Sequence, residues 1–442
     1  MHTSSVIFGL SPLWLSTILL LLVYGALIAD TLNRAIVAML GASAMVIMGV
    51  LTQDQATASA DPNTIGLLTG MMILVSISRR SGLFQYLAIW SARQAKASPW
   101  GILLILQITT AILSALLDNV TTVLLVVPVT LAITRALDVP AYPFLFAEVF
   151  ASNIGGTATL IGDPPNILIG SLADLSFNSF VFNLTPVIIV VMAVQAVIIH
   201  RIWGKEMHAS PESKARIMAM IPHEAIEDSV LLKQSLAILG SVIAGFIFAR
   251  QIGLEPGTIA MVGATLLMLI DNWEHHGEKQ AENVHKTFTD IEWITIFFFI
   301  GLFIIVHGVE VGGLLNILAQ KLVAATGGDM AHAGYAILWA SAILSAIIDN
   351  IPFVATMIPL VKSMAPALGG ADAIQPLWWC LSLGACLGGN GTLIGASANL
   401  TVAGIAEREG INFSFWTYTK LAFPLMLISV MISHVYVWLR YF

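Results

Sequence analysis

Ala111-Ile-Leu-Ser-Ala-Leu-Leu-Asp118-Asn119 and Ala342-Ile-Leu-Ser-Ala-Ile-Ile-Asp349-Asn350 are nearly the same run, 231 positions apart. Each is apolar, ends on an Asp-Asn pair, and has a proline nine residues beyond the asparagine (Pro128, Pro359). A carboxylate at the centre of a membrane helix costs roughly 2.5–3.5 kcal/mol on insertion scales. A chain that repeats that cost at matched positions has a use for it. Duplicated polar breaks in matched hydrophobic segments mark a secondary transporter built from two repeats.

Composition agrees. The chain is 57% apolar and 10% charged, with a mean hydropathy of +0.88. Soluble domains carry about 25% charged residues. The net charge of -7 sits in loops. Cys380 and Cys386 are too few for a disulfide scaffold and read as small buried hydrophobes. His275, His276 and His285 lack the spacing of a metal site. Neither metal nor cofactor is expected, and no enzyme activity. Pro12 to Ala29 has no Lys or Arg before it, so it reads as a membrane helix and not as a signal peptide.

Ten crossings are expected, near 12–29, 33–51, 63–78, 142–171, 178–200, 231–250, 256–271, 291–307, 375–406 and 415–439. Two hairpins near 100–137 and 332–366 carry the Asp-Asn pairs at their tips. Each hairpin arm has about 16 uninterrupted apolar residues, or roughly 24 Å of helix, short of a full span. Re-entrant hairpins are therefore expected; the alternative is a pair of ordinary crossings joined by a surface turn. Arg34, Arg79, Arg80, Arg93, Lys96, Arg135 and Arg201 fall on one side, with most other basic residues. The positive-inside rule makes that side cytoplasmic and puts both termini outside the cell (inner) membrane. The 201–230 stretch reads as a solvated cytoplasmic linker.

The self-similarity extends beyond the hairpins. Gly70 matches Gly301, and Gly82-Leu83 matches Gly313-Leu314. Ala38 and Gly41 match Ala260 and Gly263 at an offset of 222. Gly155 to Gly162 matches Gly388 to Gly395 at an offset of 233. Five crossings per unit is an odd number, so the second unit is inverted. The expected fold is an all-α integral membrane protein with two inverted five-helix repeats. They cover 1–203 and 231–442, with a linker at 204–230.

Asn153-Ile-Gly-Gly-Thr-Ala-Thr-Leu-Ile-Gly-Asp163-Pro164-Pro165-Asn166 cannot be one continuous helix, because its prolines and glycines break the ladder. Irregular backbone at membrane depth lines a cavity or is buried in protein. Gly388 to Asn399 is the second such break. The candidate binding residues are Asp118, Asn119, Thr121, Asn153, Thr157, Thr159, Asp163 and Asn166 in the first half. The second half offers Asp349, Asn350, Asn390, Thr392 and Asn399. Each hairpin is expected to face its own break. The copies differ: Asp163 matches Ala396, and Thr157 matches Asn390. Asp118, Asp163, Asp349 and Glu148 are candidate proton carriers. No Lys or Arg falls in the breaks.

These tips and breaks resemble the arsenite permease (ArsB) and P-protein branch of the ion transporter superfamily. The resemblance is carried by Leu117-Asp-Asn-Val-Thr-Thr122, Asn153 to Asn166, Ile348-Asp-Asn-Ile-Pro352 and Gly388 to Asn399. It implies two inward-pointing hairpins, a substrate site between their tips, and elevator-like alternating access. Members move arsenite, sodium against protons, or carboxylates. The dicarboxylate members carry Ser-Asn-Thr at the tips, where this chain has Asp-Asn-Val-Thr and Asp-Asn-Ile-Pro. A proton-coupled exporter of arsenite or antimonite fits a site of amides and hydroxyls without fixed cations. A sodium/proton antiporter is the alternative, followed by a carboxylate transporter. An intramembrane aspartyl protease using Asp118 and Asp349 would leave the Gly-rich breaks without a role. The expected partners are the small solute, protons and the bilayer. A homodimer and a cytoplasmic ATPase on 201–230 are compatible with the sequence; nucleic acid is not.

Overall fold

A computed structural model describes residues 11–442 apart from Asp30 and Glu206. Among the described residues all regular structure is helical. The first half holds α1 (Pro12–Ala29), α2 (Arg34–Ile47), α3 (Gln53–Ser59), α4 (Pro62–Arg79), α5 (Leu83–Gln94), α6 (Pro99–Leu116), α7 (Asn119–Leu137), α8 (Tyr142–Thr157), α9 (Pro164–Leu172) and α10 (Phe177–Trp203). A connecting stretch holds α11 (Pro211–Ala219). The second half begins with α12 (Ser229–Ile247), α13 (Ala249–Ile252), α14 (Pro256–Asn272), α15 (Glu278–Thr289), α16 (Trp293–Gly312) and α17 (Leu314–Ala325). It ends with α18 (Met330–Ile347), α19 (Asn350–Met364), α20 (Gln375–Gly388), α21 (Ser397–Arg408) and α22 (Phe415–Tyr441).

Eight of these helices are long and apolar enough to cross a bilayer, or nine if α3 and α4, bent by 48°, form one span. Five of the ten expected crossings, near 12–29, 178–200, 231–250, 291–307 and 415–439, are among the eight. Three of the eight (α6, α7 and α18) are hairpin arms. α2 and α14 have only 14 and 17 residues, and the crossings near 142–171 and 375–406 are split into α8/α9 and α20/α21. The spans read from hydropathy also omit α5 and α17. Each follows a matched glycine, Gly82 at φ +82° and Gly313 at φ +90°. That left-handed backbone suits a residue without Cβ. Twelve residues make only about 18 Å of helix, too short to span.

The matched positions explain how the halves interlock. α4 crosses α14, and α2 crosses α16. At the first crossing a Cβ on Gly70 would come within 2.7 Å of the Ala260 carbonyl carbon; at the second, one on Gly301 would come within 2.6 Å of that of Ala38. Each repeated glycine thus packs on the other half's repeated alanine. The same exchange recurs inward, where α7 lies on α21 and α19 on α9, while α6 on α8 and α18 on α20 are matched packings within each half.

Side-chain bonds give the directions. Asn63 Oδ1, at the start of α4, accepts from the Gly257 amide at the start of α14 at 2.7 Å. Arg34, at the start of α2, donates to Thr295 at the start of α16 at 3.0 Å. Ser76, near the end of α4, donates to Asp290, just before α16, at 2.8 Å. The α4/α14 starts and the α2/α16 starts therefore lie at opposite ends of the bundle.

α8 and α20 form the centre. Every residue of α8 from Pro143 and of α20 from Leu377 is buried. The 201–230 stretch is largely exposed, as expected of a solvated linker, but part of it docks on the bundle. α11 packs on α7 and α5, with Ile217 fully buried, and the Glu227 amide donates to the Ser81 carbonyl at 3.0 Å. Its apolar Ile217 is what a charge-based reading overlooks.

Candidate functional site

The hairpin tips end inside the protein. Asn119 and Asn350 are each 2% exposed, which excludes a surface turn. Both reach one carboxylate. Asn119 Nδ2 donates to Asp163 Oδ1 at 3.1 Å, and Asn350 Nδ2 lies 3.4 Å from Asp163 Oδ1 and 3.5 Å from Oδ2. Asp163 is fully buried. Each hairpin faces its own break, through Thr159 to Ala115 and Thr392 to Ala346, and both asparagine tips also converge on the carboxylate of the first. The reason is the sequence difference already noted, since the matching residue in the second break is Ala396, with no acceptor to offer.

The network continues through α8 into the other half. Asn119 Nδ2 also donates to Asn153 Oδ1 at 3.1 Å. Asn153 Nδ2 donates to Asn390 Oδ1 at 2.9 Å and to Asn399 Oδ1 at 2.8 Å. Two of its buried polar atoms, Asn119 Oδ1 and Asn390 Nδ2, have no partner among the described residues. Buried polar atoms are ordinarily paired, whereas this network keeps one unspent acceptor and one unspent donor among the described residues.

Other candidates serve the scaffold. Asn166 Nδ2 donates to the Thr157 and Thr159 carbonyls at 3.1 and 2.9 Å, and Asn399 Nδ2 to those of Gly389 and Thr392 at 2.7 and 2.8 Å. These amides replace the helix bonds that the breaks lose. The Thr159 and Thr392 hydroxyls tie each break to the neighbouring hairpin arm, at the Ala115 and Ala346 carbonyls. Thr157 Oγ1 bonds back to the Asn153 carbonyl at 2.7 Å. Glu148 lies outside the network, bonded to Thr130 of α7, with Oε2 buried and unpartnered among the described residues.

Asp118 and Asp349 are N-caps. Asp118 Oδ1 accepts from the Thr121 amide at 2.8 Å, and Asp349 Oδ1 from the Ile351 amide at 3.0 Å. A carboxylate there satisfies an orphan donor and meets the positive end of the helix dipole. Thr121 belongs to this cap and makes no bond to the amide network among the described residues. Asp118→Ala is expected to lower stability by about 1 kcal/mol. Asp118→Ser, which can still cap, should keep both stability and transport. Thermal melts with an uptake assay check this; loss of transport in Asp118→Ser would make Asp118 more than a cap.

Two site residues were not legible. Arg34 donates to Ser397 Oγ and stands 3.9 Å from Asp349 Oδ2, bringing a cation to a hairpin tip whose own sequence holds none. Cys386 Sγ lies 3.6 Å from Asn166 Oδ1, which also accepts from Ser382 at 2.6 Å. Cys386 occupies the position 233 residues after Asn153, so the repeat offset itself points to it.

A second expected result follows from the division of labour. Asn399 holds two carbonyls of its own break, while Asn119 leaves its Oδ1 unspent. Asn119→Ala should cut uptake at least about tenfold with little change in melting temperature. Asn399→Ala should destabilise by about 2 kcal/mol, the cost of buried acceptors left unpaired. Equal transport losses at equal stability would contradict it.

Two re-entrant hairpins whose amide tips close on broken helices, inside a multi-pass helical bundle, define a membrane transporter. The chain belongs to the citrate transporter (CitMHS) family, whose model matches residues 19–384. An uncharacterised transporter of Mycobacterium tuberculosis is 41% identical over 95% of this chain and 96% of its own length. The human P protein is 32% identical over 96% of this chain, which spans 59% of that longer protein. The fold is also that of two solved transporters. Alcanivorax borkumensis YdaH superposes with a TM-score of 0.60 at 14% identity, over 97% of this chain and 99% of that one. Neisseria gonorrhoeae MtrF gives 0.57 at 12%, over 98% and 96%. The P-protein side of the resemblance is thus shown, whereas the family's description names citrate and not arsenite.

Proposed function

We propose that the chain is a cation-coupled carrier of a small oxygen-rich anion, with Asp163 as its ionisable group. The observation that carries this is the buried Asp163 carboxylate, held by the neutral amides of Asn119 and Asn350 from two different hairpins. Neither amide cancels its charge. An anionic solute about 5 Å away would meet roughly 3 kcal/mol of repulsion at an effective dielectric of 20. A sodium ion or proton on Asp163 removes that repulsion, so cation and solute bind together. The two hairpins sense the same carboxylate, which lets its occupancy decide whether both tips are held.

A carboxylate substrate agrees with the citrate of the family's description. Export of arsenite or antimonite in exchange for protons rests on the neutral amides alone: a neutral trihydroxide would share Asp163 with a proton by turns. The halves 1–203 and 231–442 act as inverted repeats in this scheme, in a cytoplasmic membrane with both termini outside. The apolar face of α11 is taken up by α7 and α5, which favours a gradient-driven carrier over one driven by an ATPase docked on that stretch.

Purified protein in liposomes, with sodium and proton gradients imposed separately, tests this. Uptake of citrate or another di- or tricarboxylate that collapses with the matching ionophore is expected. Arsenite flux without carboxylate flux would select the exchange reading. Flux independent of both gradients would sink the coupling.

A further inference from the structure

Two cavities sit at matched positions on opposite ends of the bundle. One, of about 410 Å³, is lined by Asn63, Leu67, Ile167 and Pro256 among others. The other, of about 70 Å³, is lined by Arg34, Phe298, Asp349, Ile394 and Leu400 among others. The repeat offsets relate them: Leu67 matches Phe298, Ile167 matches Leu400, and Pro256 matches Arg34. The small one reaches the second hairpin tip at Asp349 and Pro352; the large one is roomy and lies against α4, α9 and the start of α14.

What differs at the small cavity is polar. The Arg34 guanidinium bonds Ser397 of α21 and Thr295 of α16 and lies 3.9 Å from Asp349. Ser397 donates in turn to Asp349 Oδ2 at 3.0 Å. The Tyr24 hydroxyl of α1 donates to the Pro352 carbonyl at 2.6 Å, just past the same tip. The α1/α2/α16 group is thereby fastened to the second hairpin and to the helix following the second break. At the roomy end the matching residues are Pro256, Pro164 and Asp118, and two prolines cannot reproduce the arginine and serine. Among the described residues, the first turn of α7 makes no polar side-chain bond to α1–α4 or α12–α16.

We propose that Arg34 is a one-ended gate. Its bonds to Ser397 and Asp349 latch the second hairpin against α2 and α16 and close the cavity at that tip, while the matched residues Pro256 and Pro164 at the other end form no latch. Opening that cavity requires Arg34 to release both partners together, because one guanidinium holds them. A guanidinium makes a good latch because it is always charged and its planar fork binds several acceptors at once.

Single-cysteine reporters test it in the full-length chain in membranes. Ile394→Cys lines the small cavity; Leu254→Cys lines the large one and is 46% exposed. The native thiols are fully buried, and the native chain serves as the blank. In the Arg34→Gln background, maleimide labelling of Ile394→Cys should rise about tenfold, the order of population change that losing a charge-assisted bond produces. Labelling of Leu254→Cys should stay the same. An unchanged rate at Ile394→Cys overturns the gate, and so does an equal rise at both positions, which would mean general loosening. Should Arg34→Gln fail to fold, Ser397→Ala removes the other half of the latch and should act in the same direction. Labelling reads access and not flux, so this result is independent of the Asp163 assignment.

Discussion

Asp163→Asn should abolish cation-dependent transport, by about 100-fold or more, while leaving a folded protein. The substitution keeps the shape and one carbonyl acceptor, so one hairpin amide can still bond. It removes the charge that binds the cation and that makes anion binding conditional on it. A lost interaction of roughly 3 kcal/mol corresponds to a factor near 100. Uptake into proteoliposomes under a cation gradient gives the loss, and a thermal melt separates it from unfolding. The matched change Ala396→Asp is informative in the other direction. It places a second carboxylate where the second break has none, and should raise cation dependence without restoring Asp163→Asn. Cation-dependent uptake by Asp163→Asn at half the native rate or more would move the ionisable group elsewhere, with Glu148 next in line.

Gly155→Val should prevent assembly of the transport core. A Cβ at Gly155 would fall 2.2 Å from the Ala111 carbonyl oxygen of α6. That neighbour is backbone and cannot rotate away, so hairpin and broken helix must separate. Overpacking costs typically 1–3 kcal/mol and more where the backbone must shift. The expected result is loss of monodisperse protein on gel filtration. Gly388→Val should behave alike, since its Cβ would lie 2.5 Å from the Ala342 carbonyl oxygen. By contrast Gly240→Val, with open space around it, should purify normally. Normal folding of Gly155→Val would show that α6 and α8 are not held this closely.

The sequence was informative wherever the two copies agree. Asp118 and Asp349 stood out because an ionisable residue in an apolar run is costly, and a cost repeated at one offset has a common cause. In the structure both carboxylates cap the helix that follows, accepting from the Thr121 and Ile351 amides, and Asp349 also meets Ser397 and Arg34. The repeated glycines were visible for a similar reason: each contacts the other half's repeated alanine, so a change in either copy would open a crossing. Asn166 and Asn399 were legible as polar residues beside the breaks, but their role as clasps was not, because a side chain's partner carbonyl depends on how the break folds back. The amphipathic α5, α11 and α17 were passed over because short helices with mixed faces resemble loops on a hydropathy profile.

The class of protein follows from the chain alone: a membrane bundle with two matched halves, two hairpins and two broken helices. Periodicity, apolar length and self-similarity are properties of the chain, so the chain displays them. Which residues meet is settled by how the helices pack. Asn119 and Asn350 are 231 residues apart and arrive at one carboxylate because the second break offers Ala396 where the first has Asp163. Arg34 reaches Asp349 across 315 residues because α2 packs most extensively on α16, in the other half. Hydrogen bonds and ion pairs act over a few ångströms of space, and no spacing along the chain encodes that distance once helices from two interlocked halves converge.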